Sequence, residues 1–251
     1  MPQRLTNGVD QAAAGGFTEE MAYDIPNYQV EYAMRTTHVP VGFWRSVNHS
    51  QNGFFRECFV DEMAHAAGQD PYQYRHKLLS KDAKRLAVLD AAAQKAGWDK
   101  PVPPGLSRGI ALVEAYGSLC AQVVEASVGD KGQLRAHRVV AALDTGHVVN
   151  PAILQSQVES GIVYGLTAAL FGVITIENGR VRQGNFDDYE MLRLAEMPVV
   201  ETVLAPSGGF WGGGGEPTVP PLAPALCNAI FAATGKRIRS LPLKDQDLKR
   251  A

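Results

Sequence analysis

The sequence predicts an α+β fold, a mixed or antiparallel sheet with helices packed on it. Two observations carry this. Three β-type segments, "GIALVEAY", "AQVVEASV" and "LRAHRVVAAL", follow one another from Gly109, Ala121 and Leu134 with only short turns between them. Helical patterns stand before and after that block instead of alternating with it, so no regular βαβ succession is written in the chain.

The elements follow in order. The opening "MPQRLTNGVDQAAAGG" is small, polar and Gly-rich, reads as a loop, and lacks the charged and apolar regions of a secretory signal. "NYQVEYAM" (27–34) has the composition of a strand. From Ser50 a helix is expected, because Phe55, Phe59 and Met63 recur every four residues, with Gly68 as its C-terminal cap. Asp70 as N-cap and Pro71 at the first helical position start a second helix, and an Ala- and Lys-rich third one over 81–97 stops at Gly97. "DKPVPPG" (99–105) is a polyproline-like hinge that divides a helical segment, 1–104, from an α+β segment, 105–251.

Within the second segment, "GDKG" makes the hairpin turn between the last two of the three strands. Asn150-Pro151 opens an amphipathic helix carrying Ile153, Val158, Ile162, Val163, Leu166 and Leu170. "VITIENGRVRQGNF" is a hairpin on an Asn178-Gly179 turn. "PLAPALCNAIFAATG" (221–235) is the final helix, with Leu222, Leu226 and Ile230 on one face and Gly235 capping it.

Composition excludes several classes. With 251 residues, 45% hydrophobic and 20% charged, the chain has material for one large domain or two modest ones. A net charge of -2 without a Lys/Arg run argues against a nucleic-acid-binding face. No run of about 18 apolar residues offers a membrane span. Cys58, Cys120 and Cys227 lie far apart, are odd in number and form no CxxC pair, so they read as small buried hydrophobes and not as a disulfide framework or a metal site. P-loop, Rossmann, nucleophile-elbow and HExxH signatures are all missing from the sequence. Glu62 and His65, at i and i+3, are half of a di-iron motif without a second copy, and read as an ordinary helix face.

Four stretches remain, and each supports two readings. In "GGGGEP" the glycines let backbone approach a ligand and adopt positive φ, while Pro217 gives Glu216 a defined direction, as a general base requires; a surface loop with a solvated glutamate fits as well. Arg45, amid "GFWRSVNHS", suits either an anionic ligand or stacking on a neighbouring aromatic. In "NPAILQSQVESG", Gln155, Gln157 and Glu159 lie in the first turns of a helix, where a glutamine amide can read a heterocycle edge or simply face water. In "AYGSLC", Gly117-Ser118 interrupts a strand pattern, which admits a ligand or marks a turn.

Taken together and in this order, "VPVGFWRSVNHSQNGFFRECFVDEMAHAAGQDP", "QVESGIVYGL" and "GGGGEPTVPPLAPALCNAIFAATGKRIRSLPL" resemble the large subunit of the xanthine oxidase family of molybdenum hydroxylases, in particular its isoquinoline 1-oxidoreductase beta and aldehyde-dehydrogenase-like branch. The resemblance runs from about Asn27 to Leu243 and marks the C-terminal part of a molybdopterin-binding region. It implies a molybdenum-bearing molybdopterin, in bacteria usually the cytosine dinucleotide, and hydroxylation of an N-heterocycle or aldehyde carbon with oxygen from water. It implies Glu216 as the general base. It places Arg45, Ser46 and Val47 in a loop lining the cofactor, Gln157 against the pterin, and Gly214 and Gly215 in the loop carrying the base. Gly117 and Ser118 then belong to a further cofactor loop. "WRSVN" here replaces the commoner "RGFG"-type run, and Ser160 replaces a glycine.

Family members of this branch run to roughly three times this length. The resemblance therefore implies an N-terminal molybdopterin-binding chain or segment as partner, and a separate [2Fe-2S] protein to take the electrons, because three scattered cysteines cannot hold a cluster. The competing expectation is a non-catalytic fragment or scaffold that needs a partner chain to bind the cofactor.

Overall fold

The computed structural model describes residues 5–6, 9–10, 13–15, 21–35 and 39–250. Much of the Gly-rich opening lies outside the described residues; within it, Leu5–Thr6 (β1) pairs with Val9–Asp10 (β2). Residues 27–34 form no strand and are exposed. Their β-type composition is a preference for a pleated, half-buried surface, and among the described residues no strand pairs with them.

Three helices come first: α1 (Val47–Ala66), α2 (Pro71–Leu78) and α3 (Ala83–Ala96). Their ends follow local chemistry. The Asp70 carboxylate accepts the N–H groups of Tyr72 and Gln73 with Pro71 at the first position, Asp82 accepts the Arg85 N–H, and Gly97 closes α3 at φ 66°. Helix α1 departs from expectation. It begins three residues earlier than Ser50, and the stripe that announced it points outward, Phe55 and Phe59 being 55% and 59% exposed. Its buried face instead carries Phe54, Cys58 and Ala64 together with the charged Arg56, Glu57 and Asp61.

The sheet that organises the molecule has the order β3-β4-β5-β8. Strands β3 (Ser107–Ala115), β4 (Ser118–Val128) and β5 (Leu134–Asp144) run antiparallel, as the three sequence segments predict. After α4 (Pro151–Leu170) and the short hairpin of β6 (Ile176–Glu177) and β7 (Arg180–Val181), strand β8 (Val199–Leu204) returns parallel to β5, pairing Arg138 with Val199 through Leu143 with Leu204. That fourth strand makes the sheet mixed. The sequence reading missed it, although "VVETVL" has the β-branched content of a strand. Helix α5 (Leu222–Thr234) closes the fold, with Gly235 at φ 76°.

Period-two alternation sends side chains to both faces. Val139, Ala141 and Leu143 of β5 join a core with α4 and α5, whereas Val140 and Ala142 join a second core with α3. The first core depends on close approach of α5 to β3. A Cβ on Gly109 would lie 2.1 Å from the Ala225 carbonyl oxygen and 2.3 Å from the Ala229 nitrogen. Both obstacles are helix backbone and cannot rotate away. Gly109→Ala is expected to push α5 off the sheet and destabilise the protein by about 3 kcal/mol, at the upper end for overpacking, read as a lowered urea midpoint. An unchanged midpoint would contradict this packing.

Candidate functional site

The stretch after β8 returns across the β3–β4 turn. Gly212 N–H donates to the Thr145 carbonyl (2.9 Å), Gly213 N–H donates to the Tyr116 carbonyl (2.9 Å), and the Ser118 hydroxyl donates to the Gly213 carbonyl (2.7 Å). The expected positive φ is not what the four glycines supply; the left-handed pair stands upstream, at Gly208 and Gly209. Contact is the reason for them. A Cβ would fall 2.1 Å from Ser118 Oγ at Gly212, 3.1 Å from Tyr116 Cβ at Gly213 and 2.7 Å from Leu154 Cδ1 at Gly214. Gly117 and Ser118 therefore seat this loop, one as a left-handed turn residue and the other as its donor.

Arg45 reaches the loop from the other side. Its Nε donates to the Gly215 carbonyl (2.9 Å), Nη1 to Ser160 Oγ (2.8 Å) and Nη2 to Gln157 Oε1 (3.3 Å), with a further contact from Nη2 to Gly215. The guanidinium carbon lies 4.8 Å from the Tyr164 ring centroid. Gln157, Ser160 and Tyr164 recur at helical spacing on one face of α4, so a single helix face holds the arginine. The stacking reading of Arg45 is realised on Tyr164, and its polar contacts all go to the protein's own groups. Gln155 instead donates to Glu159 on the exposed side.

Ser46 clamps Glu216. Its N–H donates to Glu216 Oε1 (3.0 Å), and its hydroxyl donates to the Glu216 carbonyl (2.7 Å), which also accepts the Val219 N–H (3.1 Å). The last contact closes a turn with Pro217 at its second position, where fixed φ favours it. Ser46 is fully buried. Ser46 and Val47 both adopt left-handed backbone, φ 69° and 45°. For a β-branched residue this is an outlier, costing of order 1–3 kcal/mol, and such strain concentrates at functional sites. Val47 starts α1, so the carboxylate lies at the positive end of a helix dipole. Among the described residues no hydrogen bond reaches Glu216 Oε2. Burial and then the Glu216 charge push the neighbouring Tyr116 phenol above its ordinary pKa.

The structure thus brings Arg45, Ser46, Val47, Gln157, Gly214, Gly215 and Glu216 together, with Gly117 and Ser118 supporting them. Sequence reasoning missed Tyr164, which lies seven residues after Gln157 and was signalled by that spacing. It also missed Tyr116 and His49, whose rings meet edge to face at 5.1 Å. Nothing local links residues 67 apart in sequence. The Arg45 guanidinium and the Ser46 and Val47 amides are spent within the protein, on Gly215, Ser160, Gln157, Glu216 and the Trp44 carbonyl, so they shape the site, and the exposed side-chain amide of Gln157 is the donor left facing outward to fit a polar, oxygen-rich group.

Two sequence models, each described as a molybdopterin cofactor-binding domain, match residues 4–79 and 79–198. The chain is 29% identical over 243 residues to the beta chain of isoquinoline 1-oxidoreductase from Brevundimonas diminuta, covering 95% of this chain and 31% of that protein. It is 29% identical over 270 residues to one of the subunits of nicotinate dehydrogenase from Pseudomonas putida, covering 98% of this chain and 23% of the relative. The chain therefore spans about a quarter to a third of these relatives' length. The aldehyde oxidoreductase structure from Desulfovibrio desulfuricans superposes with a TM-score of 0.66 over 80% of this chain and 41% of that one, at 12% identity, a likeness of fold. The class so defined is a molybdopterin-binding protein. The chain belongs to the xanthine oxidase family of molybdenum hydroxylases.

Proposed function

We propose that the chain is the base-bearing part of a molybdenum hydroxylase catalytic subunit, which hydroxylates an aldehyde or N-heterocycle with oxygen from water. The observation that carries this reading is the clamp on Glu216, with Oε1 anchored by the Ser46 N–H and Oε2 left to accept a proton. A molybdenum cofactor bound here, in its cytosine dinucleotide form, supplies a Lewis acid and a two-electron acceptor. The Gln157 side-chain amide and the Gly214–Gly215 backbone would hold it, in a cradle that Arg45, Ser46 and Val47 shape through their own contacts, with Gly117 and Ser118 fixing the loop.

The chain's own residues do the rest. Glu216 Oε2 takes the proton of the attacking water-derived oxygen, and the Ser46 N–H stabilises the carboxylate and fixes its direction. Arg45 ties the Glu216 loop to α4, so base and cofactor cradle move as one unit. Electrons leave through a separate [2Fe-2S] protein, since Cys58, Cys120 and Cys227 are all buried in packing. Both relatives are named as subunits of larger enzymes, which fits such partners, as does an N-terminal molybdopterin-binding segment or chain.

The test is purification of the protein with whatever co-assembles in its host, followed by metal analysis and dye reduction with benzaldehyde, isoquinoline and nicotinate. Molybdenum near one per chain, with turnover of at least one compound, is expected. A molybdenum-free assembly that reduces no dye would overturn the reading in favour of a scaffold.

A further inference from the structure

The β3–β4 turn contains a residue that local physics disfavours. Ala115 pairs with Ser118, so Tyr116 and Gly117 are the two turn residues, at φ 55° and 72°. Two consecutive positive φ values call for Asn, Asp or Gly, and glycine duly fills the second position. A tyrosine at the first costs of order 1–3 kcal/mol. Burial does not offset that cost, because the side chain is 39% exposed.

What the tyrosine gains is position. Its carbonyl holds Gly213 of the loop that carries Glu216, and its ring meets His49 edge to face at 5.1 Å. His49 in turn donates its N–H to the carbonyl of Ser46, the residue that clamps Glu216. The phenol is near enough for the Glu216 charge to raise its pKa, after burial, so at neutral pH it keeps its proton and serves as a donor. Among the described residues the hydroxyl has no hydrogen-bond acceptor. A strained, part-exposed aromatic donor thus stands against a second ring, on the turn that holds the Glu216 loop through Gly213.

We infer that Tyr116 is a substrate-positioning residue whose hydroxyl donates to the acceptor atom of a flat substrate, an aldehyde oxygen or a ring nitrogen, while the substrate plane lies against the Tyr116–His49 pair. The inference rests on the reading of Glu216 as the base. The hydroxyl aligns the substrate and transfers no proton of its own.

Equilibrium binding of isoquinoline and benzaldehyde to the protein as purified from its host tests this, together with steady-state kinetics. Tyr116→Phe keeps the ring against His49 and removes the donor; a hydrogen bond of ordinary strength makes the expected loss of affinity up to about tenfold. KM should rise by a similar factor, with kcat changed far less. Tyr116→Asn supplies the side chain that the turn prefers, so it should raise Tm while weakening binding; a merely structural tyrosine would lose stability on the same change. Equal affinity of Tyr116→Phe and the parent for both compounds overturns the inference, as does a parent that binds neither. Failure of the Glu216 reading shows separately, as undiminished turnover in Glu216→Gln with the Tyr116 binding difference intact.

Discussion

Replacing Glu216 by glutamine is expected to lower kcat by roughly 10²–10⁴-fold, the span that general-base catalysis supplies, with molybdenum content unchanged. The substitution is nearly isosteric. A glutamine oxygen can still accept the Ser46 N–H at the Oε1 position, and the main-chain contacts from Ser46 Oγ and Val219 remain. Only the proton-accepting oxygen is lost, so a fall in turnover reports chemistry and not a collapsed loop. KM should change little, because the carboxylate is assigned to the moving proton. Steady-state kinetics with a dye acceptor and metal analysis on the same preparation decide it. Loss of the metal along with the activity would make Glu216 a cofactor-holding residue.

The second large effect concerns stability. Glu57 of α1 is fully buried, and its carboxylate accepts the Tyr23 hydroxyl (2.9 Å), Arg75 Nε (3.2 Å), Arg56 Nε (3.3 Å) and the Leu112 N–H of β3 (3.0 Å). Arg75 is itself fully buried and donates back to the Glu57 carbonyl at 2.8 Å, while Asp61 is held by Arg237 at 2.6 Å. The network joins α1, α2 and the central sheet, and thereby sets the angle at which α1 presents Ser46. Glu57→Ala leaves the Arg75 charge short of its nearest partner in a dry interior. Breaking such a pair costs about 3–5 kcal/mol, which for a chain of this size lowers Tm by on the order of 10 °C. Glu57→Gln keeps most acceptor geometry without the charge, and should fall between the two. Calorimetry reads both; a Glu57→Ala variant melting with the parent would remove the network from the account.

Much of the fold was legible because its punctuation is local. Asp70-Pro71, Gly97, Asn150-Pro151 and Gly235 each mark a helix end through their own side chain or lack of one, and each stands where the sequence places it. What failed depends on distant partners. The Phe55–Phe59 spacing reveals a helix but not which way it faces, and the buried side of α1 is recognisable only once Arg75 and β3 are in place. Residues 27–34 have strand composition but pair with no strand among the described residues, and β8 forms because β5 offers it an edge.

The site divides the same way. Glu216 stood out through the glycines and prolines around it, and Arg45 and Gln157 through the resemblance. The physical task of the glycines was not readable, since it lies in contacts to Ser118, Tyr116 and Leu154 about 60–100 residues away. Nor could the sequence show that two non-glycine residues, Ser46 and Val47, take left-handed backbone to bring an N–H onto the Glu216 carboxylate.

The central claim is that Glu216 activates water for transfer to a substrate carbon at a molybdenum centre held by this chain. The measurement that tests it most directly is the source of the product oxygen, from hydroxylation over many turnovers in ¹⁸O-labelled water under ordinary dioxygen, followed by mass spectrometry of the product. The account expects the label in the product, and its yield to collapse in Glu216→Gln. Unlabelled oxygen in the product of the parent enzyme would contradict it.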